Sequence, residues 1–289
     1  MFRIRRIYDD VLPIDKDQIE QSLFILRAQF PLVCEEEIQK IHDLLRMPDK
    51  RQFLALLFVA DDIRTKRVQG FALVLRDVEL NYFYLDYISA MKGMTGRGTG
   101  GALYERVREE ASQARAIGIF FECLPDDPAL SHNPAILKEN IARLKFYEAF
   151  GARPIAGTAY ETPVKPGSDN PPYLVFDDLG RNERLSRGLA QKIVRSILEK
   201  KYPKYCPPEY VNMVVESFSD DPVRIREPRY FKKNFPARIP AKISEDRKIR
   251  LVVNREHVIH HIKERGYVEA PVRIPAILRE IEPTGLFTM

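Results

Sequence analysis

The sequence predicts an α/β fold: a mixed central β-sheet flanked by helices, followed by a C-terminal helical and irregular extension. Three observations predict it. Over residues 1–178, strand-like segments and segments of helical spacing follow one another in the order β-α-α-β-β-β-α-β-α-β. Consecutive strands ahead of a glycine-dense turn call for antiparallel pairing, and the strand–helix–strand after it calls for a right-handed parallel crossover. Past Gly180 the texture changes, and Pro203, Pro207, Pro208, Pro222, Pro228, Pro236 and Pro240 break the chain into short pieces.

Residues 2–8 alternate and read as the first strand. Ile19, Leu23, Leu26 and Phe30 recur at helical spacing between Asp15 and Phe30. A second helix runs from about Cys34 through Ile38, Ile41 and Leu45 and stops before Pro48. Phe53–Ala60 and Val68–Arg76 read as strands joined by a polar, charged turn, and Tyr82–Ala90 as a further aromatic and aliphatic strand. Five glycines between Gly93 and Gly101 then lead into a helix over Ala102–Ile117, followed by a buried-looking strand at Ile119–Leu124. Pro125–Pro134 reads as a loop, Glu139–Phe150 as a short helix closed by Gly151, and Tyr173–Phe176 as the last strand, with room for one more around Ala152–Ala156. Leu185, Leu189, Ile193 and Ile197 make an amphipathic stripe beyond them. Lys248–Val253 suggests a strand, and Val272–Glu282 a short helix.

A chain of 289 residues holds one large or two modest domains. With 45% apolar and 30% charged residues it has the balance of a globular protein, and no run of about 18 apolar residues offers a membrane span. The start is basic, turns acidic at Asp9 and Asp10 and has no apolar stretch behind it, so no secretory signal is expected. Cys34, Cys123 and Cys206 stand apart with no C-x-x-C spacing, as expected of reduced thiols in a cytoplasmic protein. The net charge of +5 is unevenly spread. Residues 1–178 hold 23 basic and 27 acidic side chains, residues 179–289 hold 23 and 14. An acidic front half favours cationic substrates by long-range attraction. The basic back half carries no nucleic-acid-reading motif, so a solvated basic surface is expected there and nucleic acid is not.

The stretch Ala90-Met-Lys-Gly93-Met-Thr95-Gly96-Arg97-Gly98-Thr99-Gly100-Gly101-Ala102 takes a strand through a glycine-dense turn into a helix. Glycines let backbone approach a ligand, and the free amides and dipole of a helix start favour an anion such as a pyrophosphate. A P-loop would need Gly-Lys-Ser/Thr, but Gly98 is followed by Thr99 and Gly100. A dinucleotide fingerprint is formally present in Gly96, Gly98 and Gly101, with Glu122 about 20 residues on at the place of a ribose-binding acid. That motif belongs to the first strand–helix–strand unit of its fold, whereas two helices and three strands precede it here.

The stretch from Tyr87 to Leu103 resembles motif A of the GNAT superfamily of N-acetyltransferases, with Ile88-Ser89-Ala90 at the strand positions and Thr95-Gly96-Arg97-Gly98-Thr99-Gly100 as the loop. Asn140, followed by Tyr147 seven residues on and then Gly151, looks like that family's second motif. The resemblance spans residues 1–178 and implies a GNAT-type acyl-CoA-binding domain there; the stripe and prolines make 179–240 a helical, Pro-rich connecting region, which leaves a further segment at 241–289. The resemblance implies acetyl-CoA as co-substrate, no metal, and an amine acceptor: a protein lysine or N-terminus, a polyamine or a small amine. Ile88, Ser89, Ala90, Thr95, Gly96, Arg97, Gly98, Thr99, Gly100, Gly101 and Asn140 are the implied cofactor-binding residues, with a backbone N–H at Ile88–Ala90 polarising the thioester carbonyl.

A lysine-type amine with a pKa near ~10.4 is mostly protonated at pH 7, so a base must take its proton before it attacks a thioester. Glu122 is a carboxylate within the apolar stretch Phe120-Phe121-Glu122-Cys123-Leu124 and the first candidate base. Asp86, on the preceding strand, is the reserve. The resemblance makes Tyr147 the general acid that protonates the departing thiolate. A module that binds CoA without turnover shares these residues and stays open as an alternative.

Residues 248–289 carry a second likeness. Lys248–His261 and Val268–Leu278 look like the start of a histone-deacetylase or acetylpolyamine-amidohydrolase domain, without that fold's zinc ligands. It implies a truncated or degenerate acetyltransferase–deacetylase fusion, with a downstream deacetylase-like domain in a longer chain. His257, His260 and His261 have no partner Cys or Asp pattern and read as surface residues.

Overall fold

The computed structural model describes residues 2–31, 33–46, 53–91, 93, 98–162, 171–231, 249–253, 277–278 and 287–288. The strands are β1 (Phe2–Ile7), β2 (Leu54–Asp62), β3 (Val68–Asp77), β4 (Tyr82–Ala90), β5 (Ile119–Cys123), β6 (Arg153–Pro154) and β7 (Tyr173–Asp177). The helices are α1 (Pro13–Gln29), α2 (Glu35–Arg46), α3 (Thr99–Gln113), α4 (Pro134–Glu148), α5 (Arg187–Lys201) and α6 (Pro208–Glu216). The seven strands form one sheet in the order β1-β2-β3-β4-β5-β7-β6. Pairing is antiparallel from β1 to β4, parallel between β4 and β5, and antiparallel again through β7 and β6. This is the mixed, helix-flanked sheet expected from the element order.

Alternation along the strands feeds two faces. Leu56, Phe58, Ala72, Val74, Phe83, Leu85, Phe121 and Cys123 point to the face covered by α3 and α4. Leu57, Val59, Phe71 and Leu73 point the other way, under α1 and α2. The same second face continues as Tyr82, Tyr84, Phe120 and Phe176, where α5 and α6 cover it. Tyr82 meets Phe120 edge-on at 5.7 Å, and Phe120 stacks on Phe176 at 4.8 Å. Ile193, Val194 and Ile197 of α5 close over this aromatic row with no exposure at all, each contributing roughly 1.5–3 kcal/mol by burial. A polar tie seats the helix: Tyr82 Oη donates to Ser196 Oγ (3.0 Å), which donates to Asp77 (2.6 Å), and Lys200 Nζ donates to the same carboxylate (2.7 Å). The region past Gly180, expected as a helical, Pro-rich connection, carries α5 and α6 and completes the sheet's cover.

Two helix boundaries differ from the sequence reading. α3 begins at Thr99, so Gly100 and Gly101 lie inside its first turn, and it ends before Arg115, whose φ is +52°. α4 begins at Pro134, earlier than the expected Glu139. Asn133 caps it by accepting from the backbone N–H of Ala135 and Ile136, and Pro134 suits the first helical position because it lacks an N–H that would go unpaired. The expected strand around Ala152–Ala156 is β6, extended by a bridge between Ile155 and Ile225.

The chain after α6 is strapped onto the β5–α4 loop. Buried Asp126 accepts from Arg226 (2.7 and 3.0 Å), Arg229 (3.0 Å) and Tyr230 Oη (2.5 Å). Glu148, at the end of α4, accepts from the backbone N–H groups of Arg229, Tyr230 and Phe231. Burial pulls the Asp126 carboxyl upward, but the hydrogen bonds from Arg226 and Tyr230 and the arginine charges outweigh it and hold it below the usual range. Farther on, only 249–253, 277–278 and 287–288 are described, with β8 (Ile249–Arg250) and β9 (Phe287–Thr288) forming a parallel pair. The residues carrying the deacetylase likeness, His257, His260 and His261 included, lie mostly outside the described residues. Cys34, Cys123 and Cys206 are free thiols. Among the described residues no helix is long and apolar enough to cross a membrane.

Candidate active site

The sheet is split where its direction changes. β4 and β5 pair only through Phe83 with Ile119 and Tyr84 with Phe120. Beyond that point β4 stays with β3 and β5 with β7, so the two strands part. A bulge lies just past the parting: Leu73 faces Tyr87 and Val74 faces Leu85, leaving Asp86 as the extra residue of β4. Bulges redirect side chains and sharpen strand twist, and they gather next to binding sites. Past the bulge Ile88, Ser89 and Ala90 pair with Ala72, Phe71 and Gly70 of β3, and their other edge faces no described strand.

The glycine turn delivers α3 to this gap. Gly98 takes φ +81° as the residue before the helix, a conformation that suits glycine. Gly70 lets Thr99 come close, since a Cβ there would lie 2.8 Å from Ser89 O and 3.1 Å from Thr99 Cγ2. No described side chain caps α3 and no acidic residue stands in its first turn, so the amides and the positive end of the dipole are open to an anion. Nothing lies within 4 Å of a Cβ placed on Gly98 or Gly100. Thr95, Gly96 and Arg97, expected in the same loop, lie outside the described residues.

On the face of α1, α2 and α5 the gap opens into a cavity of about 750 Å³, lined among others by Phe30, Tyr84, Asp86, Tyr87, Glu122, Arg143, Lys201 and Tyr202. Glu122 stands on this face. It accepts from Tyr160 Oη (2.5 Å) and Tyr202 Oη (2.9 Å), and Tyr202 Oη lies 3.3 Å from Tyr84 Oη. Burial first, and the Glu122 charge second, push the Tyr84, Tyr160 and Tyr202 hydroxyls well above their ordinary value, so they stay protonated and fix the carboxylate's direction. Asp86 lines the cavity too, paired with Lys201.

Tyr147 is on the other face. Its ring packs against Phe121 (4.3 Å), Phe146 (5.0 Å) and Tyr104 (5.1 Å), and burial pushes its hydroxyl far above the usual tyrosine value. Glu122 and Tyr147, predicted to work together, therefore flank β5 from opposite sides. Asn140, expected at the cofactor, is buried and donates from Nδ2 to Pro125 O (2.9 Å), tethering the β5–α4 loop. His132 is exposed, and no group of three His, Cys, Asp or Glu gathers among the described residues.

Sequence reasoning missed Tyr84, Tyr160, Tyr202 and Lys201. The first lay in plain view as an aromatic in a strand. The others reach Glu122 or Asp86 across 38, 80 and 115 residues, and no local pattern announces that.

Compared with known proteins, the chain matches no family model and no curated protein in sequence. Solved structures similar to it include an aminoglycoside 6'-N-acetyltransferase complexed with coenzyme A, 17% identical over 62% of this chain and 98% of that one, with a TM-score of 0.46. A putative acetyltransferase of the GNAT family from Desulfovibrio desulfuricans is also 17% identical, over 62% of this chain and all of that one, with a TM-score of 0.46. The GCN5 of Tetrahymena is 12% identical over 61% and 95% of the two chains, with a TM-score of 0.42.

Proposed function

We propose that this chain is an acyl-CoA-dependent N-acyltransferase that moves an acetyl group from acetyl-CoA to an amine by direct attack. One observation carries the reading: a gap between two parted strands has an uncapped, glycine-opened helix start at its rim and a carboxylate-lined cavity on one face. The helix start suits the diphosphate of CoA, the gap suits its extended pantetheine arm, and the cavity suits a cationic acceptor. A dinucleotide fits less well, because an antiparallel meander precedes α3 instead of the strand–helix–strand unit that such a fold requires.

In this reading the amine nitrogen attacks the thioester carbon from the cavity side. Glu122 takes the amine proton, directly or through one water, with Asp86 as the second candidate. A free N–H on the unpaired edge of β4 at Ile88–Ala90 polarises the carbonyl. Collapse breaks the C–S bond, and the sulfur leaves beside the opposite face, where Tyr147 is the candidate donor. Burial raises the Tyr147 hydroxyl above its ordinary value, so it is protonated at neutral pH and stands as the general acid for the departing thiolate. Direct attack is preferred over a cysteine-bound intermediate because burial pushes the Cys123 thiol up to about 12, which leaves almost no thiolate at neutral pH.

Calorimetry with acetyl-CoA, CoA and NAD, followed by thiol detection across a panel of amines, tests the reading. CoA binding tighter than NAD binding, with thiol release on at least one amine, is expected. Tighter NAD binding sinks the acyl-transfer reading, and CoA binding with no release on any amine assigns the chain to binding without turnover.

A further inference from the structure

A lysine of the chain itself sits in the cavity. Lys201 is the last residue of α5, and its side chain is only 14% exposed. Its Nζ lies 4.8 Å from the ring centre of Tyr84, 5.2 Å from that of Tyr202 and 5.8 Å from that of Tyr87, and it pairs with Asp86, itself 11% exposed. Aromatic faces attract a cation, more strongly when water is kept away, and the carboxylate supplies the counter-charge. Three rings and one carboxylate around a primary ammonium form a seat for an alkylamine. Neighbouring Lys200 also borders the cavity but is committed elsewhere: its Nζ pairs with Asp77 at 2.7 Å and lies 5.8 Å from the ring centre of Phe53.

Asp86 is the bulge residue of β4, at the edge of the gap where the acyl-transfer reading lays the thioester. We propose that Lys201 is itself an acceptor, acetylated at Nζ within its own chain. The inference rests on that reading and names an acceptor of the same site: an unbranched alkyl primary amine, presented here by the chain's own helix.

The step balances. The Nζ lone pair attacks the thioester carbonyl carbon, and the C–N bond forms as the C–S bond breaks. Of the three protons on the ammonium, one remains on the amide, one ends on the CoA sulfur and one passes through the Asp86 carboxylate to solvent. Nothing is oxidised or reduced. The amide product is neutral, so it releases Asp86 from its ion pair and leaves that carboxylate free to serve a second amine.

The test incubates the full chain with isotope-labelled acetyl-CoA and follows each lysine by peptide mass spectrometry, with CoA binding measured in parallel. Holding an amine beside its reaction partner is worth large effective concentrations, so label should enter Lys201 at least about tenfold faster than Lys200, at a rate independent of protein concentration. A Lys201 already acetylated on isolation, with Lys200 free, supports the inference equally. Lys201→Arg should abolish that fast label, and Asp86→Asn should slow it while CoA still binds. Label at Lys201 no faster than at Lys200, with CoA bound, overturns the inference and leaves the acyl-transfer reading standing. Failure to bind CoA overturns both.

Discussion

Gly100 offers a probe that separates cofactor binding from folding, because an aspartate there should move the two in opposite directions. It lies in the first turn of α3, without a positive φ, and a Cβ at this position meets nothing within 4 Å. Gly100→Asp removes a poor helix former and puts the first acidic charge into that turn. The two gains, a few tenths of a kcal/mol from propensity and roughly 0.3–1 kcal/mol from the dipole, sum to about 1 kcal/mol. For a fold of this size that raises Tm by about 2–4 °C. In the proposed reading the same carboxylate faces the bound diphosphate, and the two like charges are taken as ~4 Å apart. Like charges at that distance cost about 1 kcal/mol where water screens them and about 4 kcal/mol at an effective dielectric near 20. At ~1.4 kcal/mol per decade, CoA affinity should fall between roughly fivefold and a thousandfold. Scanning calorimetry reads the first quantity and titration calorimetry with CoA the second. Gly100→Ala is the control, gaining stability while losing less affinity. An Asp variant with a raised Tm and unchanged CoA affinity refutes the assignment of the helix start to the diphosphate. Gly98 is a poorer probe, since any side chain at φ +81° adds strain of its own.

Three further predictions follow from the geometry. Tyr147→Phe should leave acetyl-CoA binding almost unchanged and lower turnover by roughly 10²–10⁴-fold, the usual range for a general acid. Wild-type turnover in single-turnover measurements would remove it from the mechanism. Glu122→Gln should lose turnover most at neutral pH and recover toward the acceptor amine's own pKa, where free base is abundant. An unshifted pH–rate profile passes the role to Asp86. Asp126→Asn should cost about 2–4 kcal/mol in urea unfolding at pH 7, somewhat under the range for a broken buried ion pair because Arg229 is half exposed. The Asp126 carboxyl is held below its usual range, so its contribution is present above the unfolded pKa of ~3.9 and fades as pH falls through the lower folded value. The gap between variant and wild type should therefore close in acid. A gap that persists at low pH means that packing, not charge, holds the strap.

The sheet was legible wherever one strand carried its own pattern. Tyr82–Ala90 was readable to the residue because six of its nine side chains are aromatic or large aliphatic, with Asn81 ahead of it and the glycine-dense turn behind. The start of α4 was hidden by its own signal: Asn133-Pro134 ends a proline-bounded stretch that reads as loop, yet asparagine followed by proline is a helix entry. Glu122 could be found because a charge in an apolar strand must be explained locally. Tyr160 and Tyr202, which hold it, could not, since their hydrogen bonds are set by how distant segments dock. Lys201 was obscured differently. Two lysines at a helix C-terminus look like solvated charges placed for the dipole, and only the tertiary fold separates the roles of Lys200 and Lys201.

The end of α5 stands far along the chain from the glycine turn, and it is the end of α5 that lines the cavity on the face of Glu122. In the proposed reading, substitutions at Lys201 or Tyr202 reshape the acceptor side, and through the Lys201–Asp86 pair the β4 bulge as well, while Gly98–Gly101 are untouched. In that reading, preference for one amine over another can drift through this end of α5 under selection without changing the glycines assigned to the nucleotide. The arrangement also sets a limit on cutting the chain. A fragment ending at Asp178 would bare Tyr82, Phe120 and Phe176 to water and take two hydroxyl-bearing walls down to one, because Tyr160 would remain at Glu122 and Tyr202 would be gone.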